Sequence, residues 1–413
     1  MDRLNLCFIN ILRSALSGEP LQLSADLTQE EWHRLMDLAK QHHVLPIVFQ
    51  AVHDLPALKG AAFLPPLKQQ VRQQVLMQAQ KTYDFLRLME DLHAAGLHPL
   101  VVKGIICRDL YPHPDHRISA DEDLLISEAE LLPCHKALTG HGFFTSVAEK
   151  SLVQSYEIPY RAEAGHLYLE LHRHLFPPES KAYGDLNRFF DGVFHRAVTQ
   201  KIQGISVYTL SCTDHLLYLL CHAFKHFLHS GFGIRQVCDI VMYANAYGAR
   251  IDWQTILESC RAIRADLFAA AVFRIGQNYL VFDPEQACYP PAWQSIPVDE
   301  FPLLEDLLCG GIYGNASMSR KHSSSITLDA VAARKQGKKR GNALMLSLFP
   351  SAKDLEGKYP YLKGHPYLLP AAWFHRICEY GKETKTTRNN KASEALKIGS
   401  QRIALLKKYG IIE

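Results

Sequence analysis

The most informative part of the sequence is the segment Asp121-Glu122-Asp123-Leu124-Leu125-Ile126. We interpret it as a β-strand, and side chains alternate between the two faces of a strand. Asp121 and Asp123 are therefore expected to point the same way. Two adjacent carboxylates repel each other and are costly to keep ionised unless a cation lies between them. Mg²⁺ prefers a few carboxylates together with phosphate oxygens and water, so the pair predicts a metal site.

The residues before this strand have the pattern of a strand, a glycine turn and a helix. The β-branched run Pro99-Leu100-Val101-Val102 ends at Lys103-Gly104, and a helical stretch follows. A glycine in this turn lets a phosphate approach the backbone, and the N-terminus of a helix presents free N–H groups. Lys103 adds a point charge that suits phosphate. The turn therefore predicts a phosphate-binding site next to the two aspartates.

A third acidic residue follows further along the chain, in a predicted β-hairpin. The run Leu167-Tyr168-Leu169-Glu170-Leu171-His172 alternates, which places Glu170 and His172 on one face of a strand. A third carboxylate beside the first two would complete a site for two metal ions, or would supply a base for an attacking hydroxyl. His172 is expected to orient Glu170 or to donate to a leaving group.

The composition excludes several classes of protein. Of the 413 residues, 47% are hydrophobic and 21% are charged, as in an ordinary soluble globular protein. No stretch approaches the roughly 20 apolar residues that cross a bilayer, and the N-terminal residues have the pattern of an amphipathic helix rather than a signal sequence. We therefore expect a cytoplasmic protein with no membrane partner. The net charge of +3 gives no field that would attract a long nucleic acid.

The pattern along the chain predicts an α+β protein with four parts. An N-terminal helical segment covers 1–95, and a core of mixed strands with helices covers 96–180. A helical domain covers 181–300, and a C-terminal helical extension with a basic, mobile stretch covers 301–413. The stretch, from Arg334 to Arg340, is expected either to be a solvated surface or to clamp a polyanion.

These residues, with others further along the chain, resemble a bacterial family of uncharacterised nucleotidyltransferases within the DNA polymerase β-like superfamily. The resemblance rests on short segments: Lys103-Gly104, Leu110-Tyr111-Pro112 with Pro114, Arg117, Asp121 to Ile126, Glu170-Leu171-His172, Cys221-His222-Ala223, Lys225-His226, Gly233-Ile234-Arg235 and Asp239-Ile240. It implies a polymerase β-like core of mixed sheet and helices, flanked by N-terminal helices and a C-terminal helical domain.

The resemblance implies the transfer of a nucleoside monophosphate from a nucleoside triphosphate, such as ATP, to a hydroxyl group. In the superfamily, carboxylates at the positions of Asp121 and Asp123 hold Mg²⁺ or Mn²⁺ on the triphosphate. Glu170 would hold a second metal ion and help to deprotonate the acceptor, which is a small molecule, a protein or an RNA end. The residues expected to bind the nucleotide and its phosphates are Lys103, Gly104, Arg117, His172, Lys225 and Arg235.

Two positions depart from the pattern of the superfamily. Ile105 follows Gly104 where a serine is usual, so one phosphate contact is missing and Lys103 or Arg117 is expected to replace it. Glu122 separates the two aspartates where an apolar residue is usual. Because its charge needs a partner or solvent, we expect this face of the strand to be less buried than in relatives.

Two other functions remain open from the sequence. The first is a catalytically silent module, of the toxin–antitoxin type, that binds nucleotide or protein on the same fold. The second is a zinc hydrolase built on a histidine-rich helix face. His222 and His226 are spaced i, i+4, which suits a shared zinc ion, and His215 and His229 lie on the same face. The sequence contains no motif that identifies the acceptor or the oligomeric state.

Overall fold

A computed structural model describes residues 1–23, 26–310, 318–337, 352–355, 359–375 and 392–413. Its centre is a mixed seven-stranded sheet in the order β3-β4-β5-β2-β1-β7-β6. The strands are β1 Leu100–Val102, β2 Glu122–Leu125, β3 Phe143–Phe144, β4 Glu157–Ala162, β5 Tyr168–His172, β6 Val198–Ile202 and β7 Ile205–Thr209.

The pairing of the central strands determines which side chains share a face of the sheet. β2 lies between β1, which is antiparallel to it, and β5, which is parallel to it. Asp123 on β2 is paired with Glu170 on β5. In the β4–β5 hairpin, Glu157 is paired with His172. Paired residues lie on the same face, as do residues two apart on one strand. These four side chains therefore share one face.

Helices flank the sheet and also form the N-terminal and C-terminal segments of the chain. Up to residue 310 they are α1 Arg3–Ser17, α2 Gln29–Gln41, α3 Leu45–Val52, α4 Leu64–Ala94, α5 Gly104–Arg108, α6 Leu131–Gly140, α7 Cys212–Leu228, α8 Ile234–Tyr247, α9 Trp253–Ala262, α10 Asp266–Tyr279, α11 Pro291–Gln294 and α12 Phe301–Gly310. Later helices are α13 Met318–Lys335, a short Ala352–Leu355 and the C-terminal helix Ala392–Lys408. In the described part of the chain, none has the length and apolar content that crossing a bilayer requires.

The α+β class predicted from the sequence is confirmed, but the sheet extends beyond the predicted boundary at residue 180. β6 and β7 lie within the segment that was predicted to be helical, and β7 pairs in parallel with β1. The two strands are joined by Gln203 and Gly204, whose φ angles of 50° and 87° are both positive. Positive φ at both turn residues is the feature that closes a two-residue hairpin. The core therefore includes residues up to Thr209.

Described helices of the C-terminal extension pack on α7 and on each other. α13 lies against α7 and the C-terminal helix. The Arg334 guanidinium donates to the carbonyl oxygen of Ile411 at 2.6 Å, and Lys335 forms an ion pair with Asp185. Arg334 and Lys335 therefore have polar partners at the end of α13. The remaining basic residues of the predicted mobile stretch, Lys338 to Arg340, lie outside the described residues.

Candidate active site

The turn after β1 has an unusual backbone that is held by a buried histidine. Lys103 has φ 60° and ψ −109°, a region that residues with a side chain rarely adopt. Its N–H donates to Nε2 of His215 on α7 at 2.9 Å. The Thr209 hydroxyl donates to Val101 at 2.6 Å and lies 3.3 Å from Nδ1 of His215. The Thr209 hydroxyl proton is already donated to Val101, so Nδ1 of His215 carries the imidazole proton. Nε2 of His215 is therefore free to accept the Lys103 N–H.

The residue after Lys103 must be glycine because Glu122 approaches it closely. Oε2 of Glu122 accepts the Ile105 N–H at 2.9 Å, and a Cβ on Gly104 would lie 2.0 Å from that oxygen. Glu122 is fully buried and pairs with the Arg108 guanidinium. The prediction of a less buried face around Glu122 is therefore wrong. The Glu122 carboxylate therefore accepts an N–H of the first turn of α5, where the sequence predicted a phosphate.

The main cluster consists of Asp123, Glu170 and His172, which the strand register brings together. Nε2 of His172 lies 3.2 Å from Oδ1 of Asp123 and 3.6 Å from Oε2 of Glu170. One ligand atom from each of the three residues lies within 4.8 Å of the other two. Asp123 and His172 are buried, whereas Glu170 is partly exposed. The cluster thus has two buried potential metal ligands and a third, Glu170, that reaches solvent.

Lys103 supplies a positive charge to the opposite side of Asp123. Its Nζ lies 2.7 Å from Oδ2 of Asp123, whereas His172 contacts Oδ1. Burial by itself would raise the pKa of Asp123, but Lys103 and His172 outweigh it and lower that pKa. Burial by itself would lower the pKa of the Lys103 ammonium, but Asp123 and Asp121 raise it above its usual value. Both groups are therefore charged at neutral pH.

The surroundings of Glu170 and His172 raise the pKa of both groups. Burial raises the pKa of Glu170, and the charges of Asp123, Asp121 and Glu157 raise it further against the opposing hydrogen bond from His172. Burial by itself would lower the pKa of His172, but hydrogen bonds with Asp123 and Glu170 raise it to about 9. A carboxylate whose pKa is raised toward neutrality suits proton transfer.

Asp121 lies beside the cluster but does not belong to it. It precedes the first residue of β2, is partly exposed, and is not among the residues whose ligand atoms converge. Its charge raises the pKa of both Lys103 and Glu170, so it lies within electrostatic reach of them. The structure therefore brings Asp123 and Glu170 together as the sequence predicted, with His172 rather than Asp121 as the third convergent group.

α7 carries a second lysine, Lys225, within electrostatic reach of the cluster. Burial lowers the pKa of the Lys225 ammonium, and the charges of Glu157, Asp123 and Glu170 offset this lowering only in part. Among the described residues, no carboxylate oxygen lies within 4 Å of that ammonium, so its charge is not used in an ion pair. Arg235 on α8 is partly buried and donates to the Ile118 carbonyl oxygen, and the charge of Asp121 acts on it. Lys225 is therefore the better placed of these two cations.

Arg117, in contrast, lies away from the cluster. Its guanidinium donates to both carboxylate oxygens of Asp239 on α8, at 2.8 and 2.6 Å. The Tyr111 hydroxyl donates to the same carboxylate at 2.8 Å. Arg117 and Asp239 are both buried. The predicted contact of Arg117 with phosphate finds no support in this arrangement, because the side chain joins α8 to the turn that precedes β2.

With the residues that the structure describes, the histidine-rich face of α7 does not assemble a group of three metal ligands. Nε2 of His222 lies 3.2 Å from Nε2 of His226, and the Gln236 amide lies 3.2 Å from Nδ1 of His222. Within the described ranges, the only group of three or more candidate ligands is the cluster around Asp123. The pair therefore lacks a third ligand in the part of the chain that the structure describes. The zinc-hydrolase alternative loses its support.

Glu157 is a site residue that the sequence analysis missed. Its Oε2 lies 3.8 Å from Nδ1 of His172, on the side of the ring away from Asp123. The signal was available, because a hairpin that turns between Ala162 and Leu167 places Glu157 opposite His172. The sequence analysis predicted the hairpin but not its register, so this pairing was not identified.

A mixed sheet with helices around it, and a carboxylate cluster beside a glycine turn, define an α+β nucleotidyltransferase fold. The chain belongs to a family of uncharacterised nucleotidyltransferases, whose family model matches residues 28–280, more than half of the chain. This match confirms the family that the sequence resembles, and it includes every residue of the cluster. No curated protein and no solved structure matches the chain.

Proposed function

We propose that the protein is a metal-dependent nucleotidyltransferase that moves a nucleoside monophosphate from a nucleoside triphosphate to a hydroxyl acceptor. The observation that carries this proposal is the convergence of Asp123 and Glu170 on adjacent strands, within a chain that belongs to a nucleotidyltransferase family. Two carboxylates and an imidazole fit a divalent cation. A bound divalent ion would neutralise the negative charge that develops on the phosphate during transfer.

The charged side chains around the cluster give each group a role. Asp123 and Glu170 would hold the cation, and the partly exposed Asp121 would contribute a carboxylate on the solvent side. Lys225, which has no carboxylate partner within 4 Å among the described residues, binds the triphosphate. Lys103 keeps Asp123 ionised through its 2.7 Å contact. The site therefore combines acidic groups for a cation with a lysine for phosphate.

Glu170 is the base in this proposal. The acceptor oxygen forms a bond to the α-phosphorus, the bond from that phosphorus to the bridging oxygen breaks, and pyrophosphate leaves. The hydroxyl proton passes to the Glu170 carboxylate, whose pKa is raised by burial and by the neighbouring acids. A base with a raised pKa holds that proton better than an ordinary glutamate does.

Transfer of label from α-³²P nucleoside triphosphates tests the proposal, with Mg²⁺ or Mn²⁺ and small-molecule, protein and RNA fractions of a cell extract as acceptors. We expect labelled product with the wild type and a loss of at least 100-fold in Asp123→Asn and Glu170→Gln, since each removes a ligand of the cation. Glu163→Gln, at an exposed position on the β4–β5 turn, is the matched control and is expected to keep full activity.

The same assay distinguishes the catalytically silent module. If the wild type binds the nucleotide in a metal-dependent manner but no acceptor fraction becomes labelled, the transfer reaction is refuted and the binding module is favoured. If Asp123→Asn transfers label as well as the wild type does, the cluster is not the site of the reaction.

A further inference from the structure

One potential metal ligand in the cluster is the imidazole nitrogen of His172, which the superfamily pattern of three carboxylates does not contain. Nε2 of His172, Oδ1 of Asp123 and Oε2 of Glu170 converge, with separations of 3.2 and 3.6 Å from the imidazole nitrogen. Lys103 occupies the other oxygen of Asp123, Oδ2. A cation at the convergence point can therefore bind Oδ1 while the lysine keeps its own contact.

The other side of the imidazole has the environment of a metal-bound histidine. A histidine that binds a metal ion through one nitrogen usually presents its other N–H to a carboxylate, which fixes the ring and raises the basicity of the ligand. Nδ1 of His172 is buried without a hydrogen bond, and the Glu157 carboxylate lies 3.8 Å away. Glu157, His172 and the convergence point thus lie in the order of a carboxylate–histidine–metal triad.

We propose that His172 Nε2 is a direct ligand of a resident transition-metal ion, held together with Asp123 and Glu170, and that Glu157 is the positioning residue for His172. The role of the ion in the reaction rests on the proposed function, but the ion is expected to bind in the absence of nucleotide. Asp121 lies outside this set of ligands and is left free to act on the substrate side. The site is thus preformed before the triphosphate arrives.

The identity of the donor set predicts the metal preference. Mg²⁺ takes oxygen ligands almost exclusively, whereas an imidazole nitrogen favours first-row transition metals. We therefore expect the metal-stripped full-length protein to bind Mn²⁺ at least tenfold more tightly than Mg²⁺ in the absence of nucleotide. The preference is expected to fall in His172→Gln, because the nitrogen ligand is replaced by an amide.

Pulsed electron paramagnetic resonance with Mn²⁺ alone tests the ligand directly, because a coordinated imidazole gives a ¹⁴N coupling. We expect this coupling in the wild type and in Asp121→Asn, and its loss in His172→Gln together with a drop in Mn²⁺ affinity of at least tenfold. His174→Gln, at an exposed position two residues away, and His222→Gln, on α7 within electrostatic reach of His172, are the controls and keep the coupling.

The positioning role of Glu157 has its own readout. Glu157→Gln is expected to weaken Mn²⁺ binding about tenfold while the ¹⁴N coupling remains, since the ligand stays in place but its support is reduced. Loss of the coupling in this variant would instead show that Glu157 holds the ring in the site, which also supports the triad. An unchanged Mn²⁺ affinity would refute the role of Glu157.

The outcomes separate this inference from the proposed function. Bound Mn²⁺ without a ¹⁴N coupling in the wild type, or no Mn²⁺ binding until nucleotide is added, overturns the inference, and label transfer can still be observed. A ¹⁴N coupling that is lost in His172→Gln establishes the site even if no acceptor is ever labelled. The wild-type spectrum decides the question if a variant does not fold.

Discussion

A single residue, Lys103, links the backbone of the core to the charge of the cluster. A side-chain-bearing residue in such a sparsely populated backbone region costs about 1–3 kcal/mol, and such residues collect at functional sites. Here the conformation is held by the hydrogen bond to His215, and it directs the ammonium to within 2.7 Å of Asp123. The strained turn therefore places one of the two groups, Lys103 and His172, that keep the buried aspartate ionised.

Gly104→Ala tests the close packing next to this turn. The new Cβ would lie 2.0 Å from Oε2 of Glu122, a carboxylate that cannot move away without leaving the Ile105 N–H and Arg108 unsatisfied. We expect the free energy of unfolding to fall by about 3 kcal/mol, the usual cost of breaking a buried ion pair. Chemical denaturation with circular dichroism measures this change.

Gly140→Ala is the matched control for that substitution. Gly140 ends α6, and a Cβ there meets no atom within 4 Å. Alanine is the better helix former by up to about 1 kcal/mol, so this variant is expected to be neutral or slightly more stable than the wild type. Equal losses of stability in the two variants would show that the contact with Glu122 is not the cause.

At the scale of elements, the buried pair of Arg117 and Asp239 joins the turn before β2 to α8. Removing one member of a buried pair leaves an uncompensated charge, whereas replacing both with apolar residues is far less costly. We expect Arg117→Met to lower the free energy of unfolding by about 3–5 kcal/mol. The double variant Arg117→Met/Asp239→Leu is expected to recover part of this loss, and a double-mutant cycle measures the recovery.

The alternative role of Arg117, contact with phosphate, predicts a different result. In that case Arg117→Met would weaken nucleotide binding and change stability little. The two roles are therefore separated by measuring both quantities on the same variants. A stable Arg117→Met protein with weak nucleotide binding would refute the structural role that the ion pair indicates.

The elements that the sequence predicts well are those with strong local patterns. The apolar periodicity from Ile234 to Tyr247 coincides with α8, and the capping-box pattern of Thr28 and Glu31 marks the start of α2. The strands β6 and β7 were missed because they are short and are joined by Gln203-Gly204, which is a weaker turn signal than Asn-Gly. Local patterns thus predicted most of the sheet but not its edge.

The site could be predicted only as far as alternation along a strand allows. Asp123 and Glu170 share a face because each lies on a strand with a clear pattern, and β2 and β5 pair in register. The sequence analysis placed Asp121 with Asp123 and Glu170, because the sequence does not show that β2 begins at Glu122, the residue after Asp121. The partner of Glu122 depends on how α5 is rotated, which places Arg108 against it. No local pattern contains that information.

At the scale of the whole molecule, buried neutral histidines connect parts that are distant in sequence. His42 at the end of α2 accepts the Ile234 N–H at the start of α8, and its ring packs against Phe8. His215 on α7 holds the turn after β1. Burial lowers the pKa of His42 to about 4 and that of His215 to about 3. Both contacts need the neutral ring, because the ring nitrogen accepts a proton from a backbone N–H.

The lowered pKa values predict that acid destabilises the whole molecule. Below about pH 6.5 the unfolded chain binds a proton at each histidine, but the folded chain does not until about pH 4 at His42. Unfolding therefore takes up protons in this range, and stability falls as the pH decreases. At pH 5 each histidine is expected to cost about 2 kcal/mol relative to pH 8.

His42→Asn tests this effect, because the asparagine amide oxygen can take the acceptor position of Nδ1 without titrating. Its free energy of unfolding, measured by urea denaturation, is expected to drop by about 2 kcal/mol less than that of the wild type between pH 8 and pH 5. His174→Asn, at an exposed position, is expected to follow the wild-type pH dependence. If His42→Asn loses as much stability in acid as the wild type, a proton on His42 does not contribute to the acid sensitivity, and other buried groups must account for it.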